Sequence, residues 1–309
     1  LLNFDASGAG TVKRLPVVVG HSADRDVLVT FLLFWDQPMT GKGANSSLEL
    51  CLTDADGNPL AGTGLRNTDD GSDLLCSGPS GLGQPAQAIL QIKNPAGGAV
   101  VNGYLQVGLA EQGEGKLPGR VHVLIANGEQ AAITRYGTHA GTIYGHPLSP
   151  YAAAIGAADY FQTPDCSPQL TNAALETYSS YGYTPILFNP DGTPAAKPAI
   201  PRKPDFVAPD GASTTFFGGG GDKAAATSNN ASCRSTDHHF YGTSAAAPHA
   251  AAAAALLKQA QPTATRADLL DAMEQSAQEM YVPGFDYRTG YGFLQTDAAY
   301  VKLQALLQK

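Results

Sequence analysis

Two textures meet near residue 137, and that change constrains the fold of this 309-residue chain more than any other property. Before it, no helical period of useful length appears. Residues 27–35 are a long β-prone run, and residues 47–53 alternate with period two before the turn cluster Asp54-Ala55-Asp56-Gly57-Asn58-Pro59. Residues 88–92, 103–109 and 120–125 continue the pattern between Gly and Pro clusters. An antiparallel sandwich of about eight strands is the expected solution.

Beyond residue 137 the pattern becomes that of an α/β layer arrangement. Residues 152–160 are small and apolar, as in a buried strand, and residues 205–211 read as a second short buried strand ending in a turn. Residues 162–202 and 211–236 are rich in Gly, Pro, Asn and Ser and are expected as long surface loops. Two helices follow, over about 244–259 and 266–276. In the second, Thr263 or Thr265 supplies the cap, and Leu269, Leu270 and Met273 form the apolar stripe. The division predicted is 1–136 for a β-sandwich and 137–309 for an α/β part. No internal repeat is visible.

The chemistry concentrates in Gly242-Thr243-Ser244-Ala245-Ala246-Ala247-Pro248-His249. Ser244 falls at the start of an Ala-rich helix, where backbone N–H groups lack intrahelical partners and the dipole favours negative charge. A serine that attacks a carbonyl needs this setting, because an oxyanion grows beside it. Gly242 leaves room for a substrate carbonyl, and Pro248 sits in the first turn, where its missing N–H costs little. The bland alternative is a serine that merely caps a helix.

A net charge of −8 with no basic stripe or tail argues against nucleic-acid binding. The longest apolar stretch, residues 250–257, is too short to cross a bilayer. No signal peptide is recognisable, and the start at Leu1 reads as a piece of a longer precursor. Cysteines stand at 51, 76, 166 and 233 with no Cys-x-x-Cys pair, so a thiolate zinc site is not expected. Their even number suits a secreted, extracellular or periplasmic protein with disulfides. Cys51–Cys76 with Cys166–Cys233 keeps each bridge within one half of the chain. Three connectivities, and four free thiols, remain open.

Five segments in order resemble the C-terminal half of a subtilisin-like serine protease (subtilase) catalytic domain. Gly145-His146-Pro147 with Ala153-Ala154-Ile155-Gly156-Ala157 resembles the family's "YP…VIAVGA" strand, and Thr177-Tyr178-Ser179-Ser180-Tyr181-Gly182 its "FSS-G" segment. Lys203-Pro204-Asp205-Phe206-Val207-Ala208-Pro209-Asp210-Gly211 resembles "kPDv-APG", residues 242–249 the nucleophile motif, and Tyr291-Gly292-Phe293-Leu294-Gln295-Thr296-Asp297-Ala298-Ala299 the closing strand and helix. The first half is similar to the β-rich insert of some subtilases, through residues 48–58. The resemblance implies a parallel-sheet α/β domain with an inserted β-sandwich, and a serine endopeptidase that forms an acyl-enzyme on Ser244, supported by Gly242, Thr243 and Pro248. Its partners would be protein or peptide substrates and the N-terminal half of the same precursor.

The family's triad runs Asp, His, Ser along the chain, and its aspartate and histidine motifs have no clear counterpart here. The nearest echo of the histidine motif is Thr138-His139-Ala140-Gly141-Thr142, and Ala126-Asn127-Gly128-Glu129 resembles the oxyanion-asparagine context only superficially. His139 as base and Asn127 as oxyanion donor are therefore weighed against a linker histidine and a strand-following turn. The expectation is that Asp, His and Asn lie upstream of Leu1, which would leave this piece inactive alone. Two alternatives stand beside the protease: a non-catalytic subtilase-like binding scaffold, and a sedolisin-like acid protease with Glu and Asp partners.

The remaining candidates have plainer readings. By the resemblance, His249 is structural. His238 and His239, adjacent in the chain, would point to opposite faces of a strand and read as a solvated loop rather than a metal pair. Calcium is the one candidate cofactor, at Asp54 and Asp56; but the twelfth position from Asp54 is Leu65, where an EF-hand loop carries Glu, so a plain Asp-Gly turn is expected. Gly218-Gly219-Gly220-Gly221 lacks the frame of a phosphate cradle.

Overall fold

In a computed structural model of the protein, residue 4 and residues 11–109, 117–126, 130–139, 141–215, 233 and 238–308 are described. The chain divides into two compact units, residues 1–138 with 186–199, and residues 139–185 with 200–309.

The first unit is built from antiparallel strands. Strands β3 (Leu48–Thr53), β6 (Val101–Leu109), β1 (Leu15–Val19) and β8 (Ala131–Ile133) make one four-stranded sheet in that order. Strands β4 (Arg66–Asn67), β5 (Gln87–Asn94), β2 (Val27–Trp35) and β7 (Val121–Ile125) make another. Period-two alternation is plain in β5, where Ala88, Leu90 and Ile92 are buried while Ile89 is exposed, so this strand turns one face to the interior; β3 is buried along most of its length. Val29, Phe31, Leu33 and Trp35 of β2 join Leu48, Leu50 and Leu52 of β3 and Leu105 and Val107 of β6 in a single core. Burying a side chain such as Phe31 contributes roughly 1.5–3 kcal/mol. One group of buried polar side chains is satisfied internally: Trp35 Nε1 donates to Gln37 Oε1 at 3.1 Å, and Gln37 Nε2 to Ser46 Oγ at 2.7 Å.

Residues 162–202 are not one long loop. Strands β10 (Ile186–Phe188) and β11 (Pro194–Ala199) pair as an antiparallel hairpin. Its turn closes where Asn189 N donates to Thr193 O at 2.8 Å and Thr193 N to Asp191 Oδ1 at 2.9 Å. Asn-Pro-Asp-Gly-Thr is a turn signal in its own right.

In the second unit, β9 (Ile155–Asp159) and β12 (Phe206–Asp210) pair in parallel, with Phe206 opposite Ile155 and Asp210 opposite Asp159. Backbone bonds from Val207 N to Gly292 O and from Leu294 N to Val207 O add a third extended segment. Helix α1 (Thr243–Ala260) presents Ala246, Ala250, Ala253 and Leu257, a stripe at helical spacing, to Ala157, Phe206 and Ala208 of the strands. Helices α2 (Arg266–Ser276) and α3 (Thr296–Leu307) complete that core through Ala272, Met273, Ala299 and Leu303, with Leu269 and Leu270 only half-buried. Thr265, not Thr263, caps α2, in a reciprocal box with Asp268.

The cysteines form two bridges, Cys51–Cys76 and Cys166–Cys233, and none is free. Among the described residues, no helix is long and apolar enough to cross a membrane.

Candidate functional site

The strand pair β9–β12 fixes the site. Asp159 and Asp210 stand at its C-terminal ends, and α1 begins beside them: the N–H of Gly242, the N-cap residue, donates to Asp210 Oδ2 at 2.6 Å. Crevices outside the carboxyl ends of parallel strands are the usual place for ligands in such sheets. Gly242 has φ 113°, a conformation that side-chain-bearing residues rarely adopt, and its carbonyl accepts from Ala245 N at 2.8 Å and Ala246 N at 3.2 Å to start the helix. Ser244 follows at the second helical position and is exposed. Among the described residues, neither its hydroxyl nor its backbone N–H has a hydrogen-bond partner. A free hydroxyl and a free N–H on a first helical turn can serve an attack on a carbonyl and hold the oxygen that becomes charged. Thr243, the first helical residue, is half-buried. Pro248 is exposed, but it stands inside α1 at the sixth helical position rather than in the first turn as expected, so its missing N–H removes an intrahelical bond to the Ser244 carbonyl.

Beneath this turn lies an acidic group that the sequence reading left unassigned. Tyr178 donates through its hydroxyl to Asp210 Oδ2, and that hydroxyl also accepts from Gly242 N at 3.2 Å. Asp210 is fully buried. Burial above all, and then Asp159, push its carboxyl above the ordinary range, while Tyr178 and the Gly242 N–H pull the other way. Glu176 is raised by burial and by the charges of Asp210 and Asp159. Tyr178 is raised by burial and by its bond to Asp210. One signal of this group was present in the sequence: Ala208-Pro209-Asp210-Gly211 carries an extra acidic residue relative to the "APG" it resembles.

His139 is placed elsewhere. It is exposed, with φ 55°, and its ring lies 6.1 Å from that of Tyr181. Tyr181 and Gly182 are tied to Thr142 and Tyr287, and Gly182 abuts the backbone of Lys203, which precedes β12. His139 thus belongs to the segment at the N-terminal ends of β9 and β12, whereas Ser244 stands at their C-terminal ends. Among the described residues, no contact joins His139 to Ser244. Asn127 and Gly218–Gly221 lie outside the described residues.

The two adjacent histidines are not a solvated loop. They open strand β14 (His238–Phe240), which pairs with β13 (Ala212–Thr214), and both are buried. His239 Nδ1 is 2.8 Å from Gly211 O and its ring meets Phe161 edge-on, so burial here is supported by a carbonyl and an aromatic face. His249, exposed on α1, has Nδ1 2.9 Å from Ala245 O one turn back.

The Asp54 turn does not fit calcium. Asp54 Oδ1 accepts from Asp56 N at 2.9 Å and Asn58 N at 2.8 Å, and Oδ2 from Asn58 Nδ2 at 3.3 Å. Arg14 donates to the carbonyls of Ala55 and Asp56 at 3.0 and 2.7 Å. A guanidinium therefore takes the oxygens that a cation would need. Glu49, Cys51 and Cys76 lie close enough to hold an ion, but the two sulfurs are joined in a disulfide.

The family model described as the subtilase family matches residues 80–292. No curated protein matches the chain. A solved structure, the CspB protease of Clostridium perfringens, is similar at 15% identity and a TM-score of 0.45; the alignment covers 95% of this chain and 56% of that one. The chain therefore spans little more than half the length of that protease. With a family match running over more than half of its residues, this chain belongs to the subtilase family.

Proposed function

We propose that the chain carries the nucleophile of a serine endopeptidase. Ser244 Oγ attacks the scissile carbonyl carbon, its proton passes to a histidine, the carbonyl oxygen is held by the Ser244 N–H, and the C–N bond breaks as the amine takes that proton. Water then releases the acyl group from Ser244. The histidine, its aspartate partner and an asparagine oxyanion donor are assigned to polypeptide preceding Leu1. Residues 1–136 are assigned to a β-sandwich insert and residues 137–309 to the C-terminal part of the catalytic domain. Two disulfides and the family's habit support secretion.

The single observation that carries this reading is the exposed Ser244 hydroxyl, without a partner among the described residues, on the first turn of α1 at the carboxyl ends of the parallel strands. The full-length protein should react with a fluorophosphonate at Ser244. Its Ser244→Ala form should lose peptide hydrolysis by about a million-fold, as loss of the nucleophile does in subtilisin. An unlabelled Ser244, or an undiminished Ser244→Ala form, would leave the non-catalytic scaffold as the better account.

A further inference from the structure

We propose that Asp210 and Tyr178 are positioning residues for Ser244: together they clamp the Gly242 amide and so fix the turn from which the nucleophile projects. The inference rests on the reading of Ser244 as nucleophile and goes beyond it by naming what holds that serine in place.

Gly242 is the point in the loop that most needs restraint. Glycine has the widest backbone freedom of any residue, and Ser244 is only two residues further on. Its carbonyl is engaged by the helix through Ala245 and Ala246. Its N–H is engaged on the other side by Asp210 Oδ2 at 2.6 Å and by the Tyr178 hydroxyl at 3.2 Å. Residue 242 is therefore held on both sides, through the peptide that precedes it and the one that follows.

Both clamping residues are themselves anchored to the strands. Asp210 ends β12 in register with Asp159, and the next residue bonds back through Gly211 N to Phe240 O at 2.8 Å. Tyr178 precedes Ser179, whose Oγ accepts from Ala157 N at 2.8 Å and donates to Ala157 O at 3.2 Å, binding that segment to β9. The clamp thus links the nucleophile turn to both parallel strands.

The clamp is poorly explained as a device for stability. Among the described residues Asp210 Oδ1 is buried with no hydrogen-bond partner, and Asp159 and Glu176 add like charge to the same carboxyl's surroundings. Buried polar atoms are nearly always paired, and exceptions call for an explanation. Local rules are broken chiefly where function requires it.

The test uses the full-length protein and compares peptide hydrolysis and fluorophosphonate labelling of the parent with Asp210→Ala, Asp210→Asn and Tyr178→Phe, each checked for folding by circular dichroism. The expected result for Asp210→Ala is a fall in kcat on the order of tenfold to a hundredfold, as small misplacements of a reacting group produce, with KM little changed. Asp210→Asn keeps the shape and an acceptor for the Gly242 N–H, and should restore kcat to within about fivefold, a neutral acceptor being weaker than a charged one. Tyr178→Phe should lower kcat in the same direction, and decides the matter if Asp210→Ala does not fold. If the parent labels at Ser244 and folded variants match it in kcat, or lose through KM alone, the clamp is refuted while the nucleophile reading stands. If the parent does not label, both fall.

Discussion

Lys203 Nζ lies 2.8 Å from Asp205 Oδ2, and both side chains are almost wholly removed from water. The pair is also tied to the backbone, with Lys203 Nζ donating to Ala152 O at 2.6 Å and Asp205 Oδ2 accepting from Ala154 N at 2.6 Å. It therefore locks the approaches to β9 and β12 together. Lys203→Met leaves a buried carboxylate without its cation and should destabilise the protein by about 3–5 kcal/mol. Combining it with Asp205→Leu should cost less than the two single changes added together. Urea unfolding of the three variants checks both statements, and strict additivity would contradict the coupling.

Glu274 on α2 gives a pH dependence. Burial, then Asp205 and Asp271, raise its carboxyl from 4.5 to about 7, against its bond to Tyr291 and the charge of Arg202. A folded value above the unfolded one means the fold favours the protonated form. That contribution is fully present below pH 4.5 and is lost as pH rises through about 7. Glu274→Gln should therefore unfold at a higher temperature than the parent at pH 8, with the gap closing towards pH 4. A constant gap across this range would show that the titration is not coupled to folding.

The two disulfides should differ in weight. Cys51–Cys76 spans a sequence separation of 25 and Cys166–Cys233 one of 67. Loop-closure entropy assigns about 3.5 kcal/mol to the first and about 4.4 kcal/mol to the second. Paired Cys→Ala replacements, followed by chemical unfolding, should both destabilise, the 166–233 pair slightly more.

At Gly242, space is not the obstacle among the described residues, since an added Cβ would meet Ser244 N at 3.8 Å, an ordinary contact. The backbone is the obstacle, with φ 113°. Gly242→Ala should cost on the order of 1–3 kcal/mol through local strain, read as a lowered thermal midpoint.

Much of the element pattern was written in local sequence. The run at 27–35 is β2 to the residue, and the helix expected over 266–276 is α2, because alternation and helical spacing are properties of neighbours along the chain. The helix expected over 244–259 differs from α1 by one residue at each end. Strand β1, the 186–199 hairpin and the burial of His238 and His239 were not read. Five-residue and three-residue strands carry little periodicity of their own and form only because a partner is present.

The sequence by itself determined that a serine would begin an Ala-rich helix, that strands would precede it, and that the motifs follow subtilase order. The helix, the strands and each single motif depend on residues close together in the chain, and the order of the motifs is read directly along it. Only the tertiary structure decided which cysteines join, that Arg14 sits on the Asp54 turn, that the His139 ring lies by Tyr181, and that Asp210 and Tyr178 meet at Gly242. Tyr178 and Gly242 are separated by 64 positions, and no local pattern encodes such a meeting. It exists because parallel pairing of β9 and β12 brings their carboxyl ends to one place, where burial and hydrogen bonding then act on whatever side chains arrive.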